Sequence, residues 1–205
     1  MMKAFIFSSS IDEQAARLCA ARLQRQGAET LIVFDENDPP ERVEPCDIVS
    51  KFERNGRLFG AECSTGMASL MSEHHGGNEV LAKIDADTVL SNEGFDWLAS
   101  ASVKAHGFSL GLRSKWCGIW AAPATVFPVI VKRLPRATNC TGCPESHLFH
   151  SFFKAHCGIA RMSETKVQTW KIGRDINRKA MVVTLPSGLP EEARKREAIE
   201  LLTTC

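Results

Sequence analysis

The chain has 205 residues, 44% of them hydrophobic and 24% charged, with 25 Lys plus Arg against 24 Asp plus Glu. That length predicts one α/β domain over residues 1–205, with a core large enough to need no staples. The net charge of +1 argues against the broad basic surface of a protein that binds nucleic acid or acidic membranes.

The first predicted element is a strand, "KAFIFS" (3–8). Its flanks in "MMKAFIFSSS" carry too short an apolar run for a signal peptide. Ser10 and Glu13 then stand at capping-box spacing, and Ile11, Ala15, Leu18, Cys19 and Leu23 recur at helical intervals up to Gly27. "AETLIVF" (28–34) is a continuous apolar run, as in a parallel strand covered on both faces. It ends in the acidic loop "DENDPP" (35–40), which two prolines keep from becoming helix. The opening therefore reads as βαβ. "CDIVSKFERNGRLFG" (46–60) gives a short strand and a turn, with Asn55 suited to the turn before Gly56. A helix over about 61–75 places Met67, Leu70, Met71 and His74 along one face. His74 and His75 at its end suit the helix dipole, and Gly76-Gly77 suit its cap.

"VLAKIDADTVL" (80–90) opens as a buried strand and runs into Asp85 and Asp87, with only Ala86 between them. A helix from about Glu93 to Val103 follows. "GFSLGL" and "WCGIWAA" read as two strands joined by a basic turn, an antiparallel excursion. Pro123 opens a helix that Pro128 keeps short or kinked. The run that contains them, "CGIWAAPATVFPVIV" (117–131), falls short of the ~18 residues a membrane span needs, so a soluble, cytoplasmic protein without a transmembrane segment is expected. "ESHLFHSFFKAHCG" reads as helix, "KAMVVTL" as a late strand, and "GLPEEARKREAIELL" as a closing helix with Pro190 near its start.

Two residues apart on an extended chain, Asp85 and Asp87 would point to the same side. Carboxylates are costly to bury alone, so the pair either caps the following helix or holds a cation. Acids at the carboxyl end of a central strand lie where open α/β sheets bind ligands, and oxygen donors with open positions suit Mg²⁺ or Mn²⁺. Lys83 either pairs with Asp85 or snorkels to the surface.

The stretch "NGRLFGAECSTGMASLMSEHHGGNEVLAKIDADTVL" resembles the core of GT-A-type glycosyltransferases, in which a helix leads into a strand ending in D-x-D. "KWCGIWAAP" (115–123) is similar to the family's acceptor-side strand, and "CPESHLFHSFFKAHCGI" (143–159) to its Pro-Glu-Asp segment and helix. The resemblance covers roughly residues 3 to 160. It implies a single-domain, GT-A-like (Rossmann-like), mixed, mostly parallel sheet with helices on both faces. It also implies metal-dependent transfer of a sugar from a nucleoside diphosphate sugar, a UDP-sugar by default, to a hydroxyl acceptor of unknown identity. Carried onto this chain, Asp85 and Asp87 hold Mn²⁺ or Mg²⁺ against the donor diphosphate. Ser8, Asp35, Asn55 and Lys83 fall on the nucleotide-sugar side, and Glu145 is the candidate base. The chain departs from the family at Ser146, where many members have Asp, and in having no His after His156 to complete the metal shell.

Two other readings stay open. A sugar nucleotidyltransferase on a similar fold would want a glycine-rich basic loop where "FSSSIDEQ" (7–14) stands. A non-catalytic, zinc-stabilised binding protein could be built on Cys140, Cys143, His147, His150, His156 and Cys157, although a single C-x₂-C is weak zinc spacing. In a reducing compartment the eight cysteines would be mostly buried thiols.

Overall fold

A computed structural model describes residues 1–50, 61–105, 108–109, 119–133, 162–171, 175–186 and 189–204. The opening is the expected βαβ unit: β1 (Met2–Ser8), α1 (Glu13–Arg25) and β2 (Glu29–Asp35). Gly27, at φ +93°, closes α1. The Gly27 and Ala28 amides donate back to the Gln24 and Leu23 carbonyls at 2.9 and 3.0 Å, the two-bond closure that favours glycine at this position. There follow β3 (Asp47–Ser50), α2 (Ala61–Glu73), β4 (Val80–Asp85), β5 (Thr88–Leu90), α3 (Asn92–Ala105), β6 (Phe108–Ser109) and β7 (Ile119–Pro123). The remaining elements are α4 (Phe127–Arg133), β8 (Val167–Thr169), β9 (Val182–Thr184) and α5 (Glu191–Thr204).

The main sheet has the order β3-β2-β1-β4-β7-β6. Its first four strands are parallel, and β7 runs antiparallel to both β4 and β6. This is the mixed, mostly parallel sheet expected, including the antiparallel excursion. Alternation along the strands explains why the sequence reads as continuous apolar runs. Met2, Ala4 and Ile6 of β1, with Val80, Ala82 and Ile84 of β4, join a core built with α1, α3 and α5. Phe5, Phe7 and Leu81 face the other way, against Met67, Leu70 and Met71 of α2 and Phe127 of α4. Helices therefore cover both faces, and the central strands β1 and β4 are buried on two sides. Trp120 of β7 stacks on Phe127, with centroids 5.9 Å apart.

A smaller sheet, β5-β9-β8, packs into the α1–α3–α5 side. Neither β5 nor β8 is visible as a separate strand in the sequence, because three-residue strands are too short for a periodic signal. Three local expectations need correcting. The Ser10 hydroxyl does not cap α1: it donates to the Asp38 carboxylate, and the Ser10 amide donates to Asp38 as well. Helix α2 ends at Glu73, so His74 and His75 lie beyond it, and the His74 carbonyl accepts from Lys3 Nζ at 2.8 Å. Pro123 precedes a single 3₁₀ turn, and Pro128 falls in the first turn of the short α4. Pro190 stands at the start of α5 as expected, and its carbonyl accepts from the Arg194 amide at 2.9 Å. Among the described residues no helix is long and apolar enough to cross a membrane.

Candidate functional site

Chain order places the site. From β1 the chain moves outward to β2 and β3, then returns to lay β4 on the opposite side of β1. The carboxyl ends of β1 and β4 therefore flank the point where strand order reverses, which is where open α/β sheets form a ligand crevice. Ser8 ends β1, Asp85 ends β4, and Phe7 is in register with Asp85. Asp35 ends β2 and pairs in register with Ser50 of β3.

Asp85 and Asp87 do not share one extended segment. β4 stops at Asp85, residues 86–87 form a turn, and β5 begins at Thr88. The capping alternative is also removed. The residue that caps α3 is Ser91, whose Oγ accepts from the Gly94 amide at 3.1 Å, and all of β5 separates it from Asp87. Asp85 instead takes its charge partner from within its own strand. Lys83 Nζ donates to Asp85 Oδ1. Lys83 is fully buried, in register between Phe5 of β1 and Trp120 of β7, so of its two sequence readings the ion pair holds and the surface lysine does not. Packing on both sides fixes the side chain that fixes Asp85.

Asp87 stands differently. Burial pushes its carboxyl above the usual aspartate range, and the Asp12 charge adds to that, while Arg194 and Lys83 act through space in the opposite sense. Among the described residues, no other side chain makes a hydrogen bond or ion pair to it. The next residue, Thr88, has a buried hydroxyl that finds no partner among the described residues. Beneath the turn, Cys19 of α1 donates its thiol to the carbonyls of Thr88 and Asp85, at 3.6 and 3.9 Å. Burial and the two aspartates push that thiol up to about 12.

The remaining sequence candidates divide as follows. Ser8 is buried, and its hydroxyl donates to the Ser9 carbonyl at 3.3 Å. Asp35 is also buried, and its Oδ1 accepts from both the amide and the side chain of Asn37, each at 3.0 Å. Asn55, Glu145 and the Cys140–Cys157 constellation lie outside the described residues. Two residues at this edge escaped sequence reasoning. Asp12, just before α1, accepts from Arg194 Nη2 of α5 at 2.6 Å. A contact between positions 182 residues apart leaves no local signal.

Metal-holding capacity can be judged from the donor set. Asp85 and Asp87 supply hard carboxylate oxygens. Among the described residues Asp87 combines a burial cost with a carboxylate lacking an ion-pair partner, a deficit that a cation would relieve. As hard oxygen donors the two carboxylates are of the type a divalent cation takes. Among the described residues, no three His, Cys, Asp or Glu side chains converge on one metal position.

Comparison with known proteins agrees with this architecture. No protein-family model matches the chain, and no curated protein matches it by sequence. Solved structures do match. A glycosyltransferase involved in the glycosylation of the major capsid of PBCV-1 superimposes with a TM-score of 0.59 at 9% identity, covering 100% of this chain and 99% of the other. The apo form of the glycosyltransferase GlyE of Streptococcus pneumoniae TIGR4 gives 0.56 at 7% identity, with 99% of this chain matched to 62% of that one. The fold is one that known glycosyltransferases use. At such identities the likeness extends to the fold alone, and activity has to be argued from the residues at the crevice.

Proposed function

We propose that the protein is a metal-dependent glycosyltransferase of GT-A type, moving a sugar from a nucleoside diphosphate sugar, with a UDP-sugar as the default donor, to a hydroxyl acceptor. The observation that carries this reading is the turn bearing Asp85 and Asp87 beside the strand-order reversal of a glycosyltransferase-like fold. Asp85 and Asp87 would hold Mn²⁺ or Mg²⁺, which when bound offsets the charge that grows on the leaving diphosphate. Lys83 donates to the Asp85 carboxylate and orients it from below. Ser8 and Asp35 edge the donor side of the same crevice, and Asn55 belongs to the segment the family uses there. Asp35, already bonded by Asn37 through Oδ1, acts as part of a rigid turn facing the nucleoside. Glu145 is the proposed base that takes the proton from the attacking acceptor hydroxyl, a role that proximity and a suitable proton affinity make effective.

Calorimetric titration of UDP and GDP, with and without Mn²⁺, tests the reading on wild type and on Asp87→Asn. The expected result is nucleotide binding that requires the metal, and that weakens by an order of magnitude or more in the variant, because the site loses a charged oxygen ligand. Metal-independent binding, equal in both proteins, would remove the clamp and with it the main support for the transferase.

A further inference from the structure

The closing helix places a cation at this crevice that neither the sequence motifs nor the fold assigns a task. Arg194 of α5 reaches across to Asp12, which lies between the carboxyl end of β1 and the start of α1. A guanidinium offers five N–H donors in a planar fork. Among the described residues, Arg194 uses a single side-chain contact, Nη2 to Asp12 Oδ2 at 2.6 Å. The side chain is 34% exposed while Asp12 is 13% exposed, so the acid anchors the guanidinium and part of the fork still faces solvent.

The neighbouring arginine on α1 makes an instructive contrast. Arg17 is consumed by structure: Nε donates to Glu13 at 2.8 Å, Nη1 and Nη2 donate to Asp47 at 3.1 and 2.9 Å, and Nη2 also donates to the Arg42 carbonyl at 3.0 Å. If Arg194 served only to tie α5 to α1, one bond to Asp12 would do, and Arg22 already contributes a second tie through the Leu202 carbonyl at 3.3 Å. A guanidinium held by one oxygen, with donors left over, beside a crevice whose acids are suited to a cation, is suited to a tetrahedral oxyanion. Planar two-pronged donation to phosphate oxygens is the strength of arginine over lysine.

We propose that Arg194 is a phosphate-binding residue of this chain, recognising the diphosphate portion of the ligand from the α5 side while Asp12 fixes its position. The inference rests on the reading of the crevice as a nucleotide-sugar site. It assigns Arg194 a second effect as well. A positive charge at this edge attracts the phosphate and weakly disfavours a neighbouring cation.

Opposed effects give the test. Arg194→Gln, Arg194→Lys and Asp12→Asn are titrated with Mn²⁺ alone, with UDP plus Mn²⁺ and with UMP plus Mn²⁺, and melting temperatures are recorded for each. Loss of charge-assisted hydrogen bonds should weaken UDP binding in Arg194→Gln by about 10- to 100-fold, with a smaller change for UMP. Affinity for Mn²⁺ alone should stay level or rise. Arg194→Lys, which keeps the charge but loses the fork, should recover part of the UDP affinity. Asp12→Asn weakens the same helix tie but leaves an amide oxygen to hold the guanidinium in place, so its melting temperature should fall part of the way towards that of Arg194→Gln while UDP binding changes by only a few-fold. Equal UDP binding by wild type and Arg194→Gln, or equal losses for UDP, UMP and Mn²⁺ alike, would overturn the role of Arg194 and leave the transferase reading standing. Absence of any nucleotide binding by wild type with Mn²⁺ would take down both.

Discussion

At the scale of single residues, Asp85 and Asp87 show how one short motif receives two environments. Asp85 carries a buried lysine on its carboxylate, whereas Asp87 bears a burial cost and, among the described residues, no ion pair. A carboxyl held above its ordinary value of 3.8 binds its proton more tightly when the protein is folded. It favours the fold below that value and loses the contribution as pH rises through the folded value. At neutral pH, without metal, burying Asp87 is therefore a net cost. Asp87→Asn in EDTA should melt at the same temperature as wild type or higher at pH 7, with the difference shrinking as pH is lowered towards 4. A clear drop in melting temperature at pH 7 would contradict this environment. Cys19 offers a second check, since its buried thiol stays protonated at the pH of ordinary alkylation and thiolate is the reactive form. Brief iodoacetamide treatment of native protein at pH 8, followed by peptide mapping, should label exposed Cys46 and spare Cys19. Early labelling of Cys19 would mean that the turn beneath Asp85–Thr88 opens readily.

At the scale of elements, α3 is held at its start by two neighbouring features that the sequence displays only in part. Ser91 is a conventional cap, readable once the helix start is placed near Glu93. Gly94 has a different reason to be glycine. A Cβ there would lie 2.2 Å from the backbone carbonyl oxygen of Met181, and the same carbonyl accepts from the Ser91 amide at 3.0 Å. Helix and small sheet thus meet backbone to backbone. Gly94→Ala gains up to ~1 kcal/mol in helix propensity, but overpacking against rigid backbone should outweigh it for a net loss of ~2 kcal/mol. Ser91→Ala should cost ~1 kcal/mol through the lost cap. Urea denaturation of both variants checks the order. A Gly94→Ala protein as stable as wild type would show that α3 does not approach Met181 so closely.

At the scale of the molecule, long-range ties set where the sheet ends and the crevice begins. Arg17 lies 5.8 Å from the centroid of the Phe34 ring and grips Asp47, whose side chain is fully buried, fixing the edge strand β3 against α1. The Asp47 hydrogen bonds, with burial opposing them, are the chief reason the Arg17 guanidinium is held well above its ordinary proton affinity. Removing Arg17 would leave Asp47 buried and unneutralised, a loss of ~3 kcal/mol for Arg17→Met. Restoring Asp47→Asn in that background should recover part of it, which a double-mutant cycle in urea measures. Additive losses would show that the two side chains do not depend on each other.

The alternation of strands and helices, the covering of both sheet faces and the position of the acids at the end of β4 were legible from sequence alone. Each is written locally, in periodicity, in glycine and proline positions, and in the length of apolar runs. What lay beyond local reading is equally specific. Ser10 and Glu13 have the spacing of a capping box, yet the Ser10 hydroxyl goes to Asp38, because the β2–β3 loop folds back over α1. Asp87 precedes a helix, yet β5 intervenes and Ser91 caps it, because the Thr88–Leu90 strand exists only through pairing with Val182–Thr184. Lys83 looks like a surface lysine until β1 and β7 flank it. Asp12 and Arg194 meet only after α5 packs on α1. The sequence by itself determined most of the longer elements and where the carboxylates lie along the chain. Tertiary structure decided which charges face one another there, since ion pairs and burial depend on strand order and helix packing between distant segments, and no short window of residues encodes either.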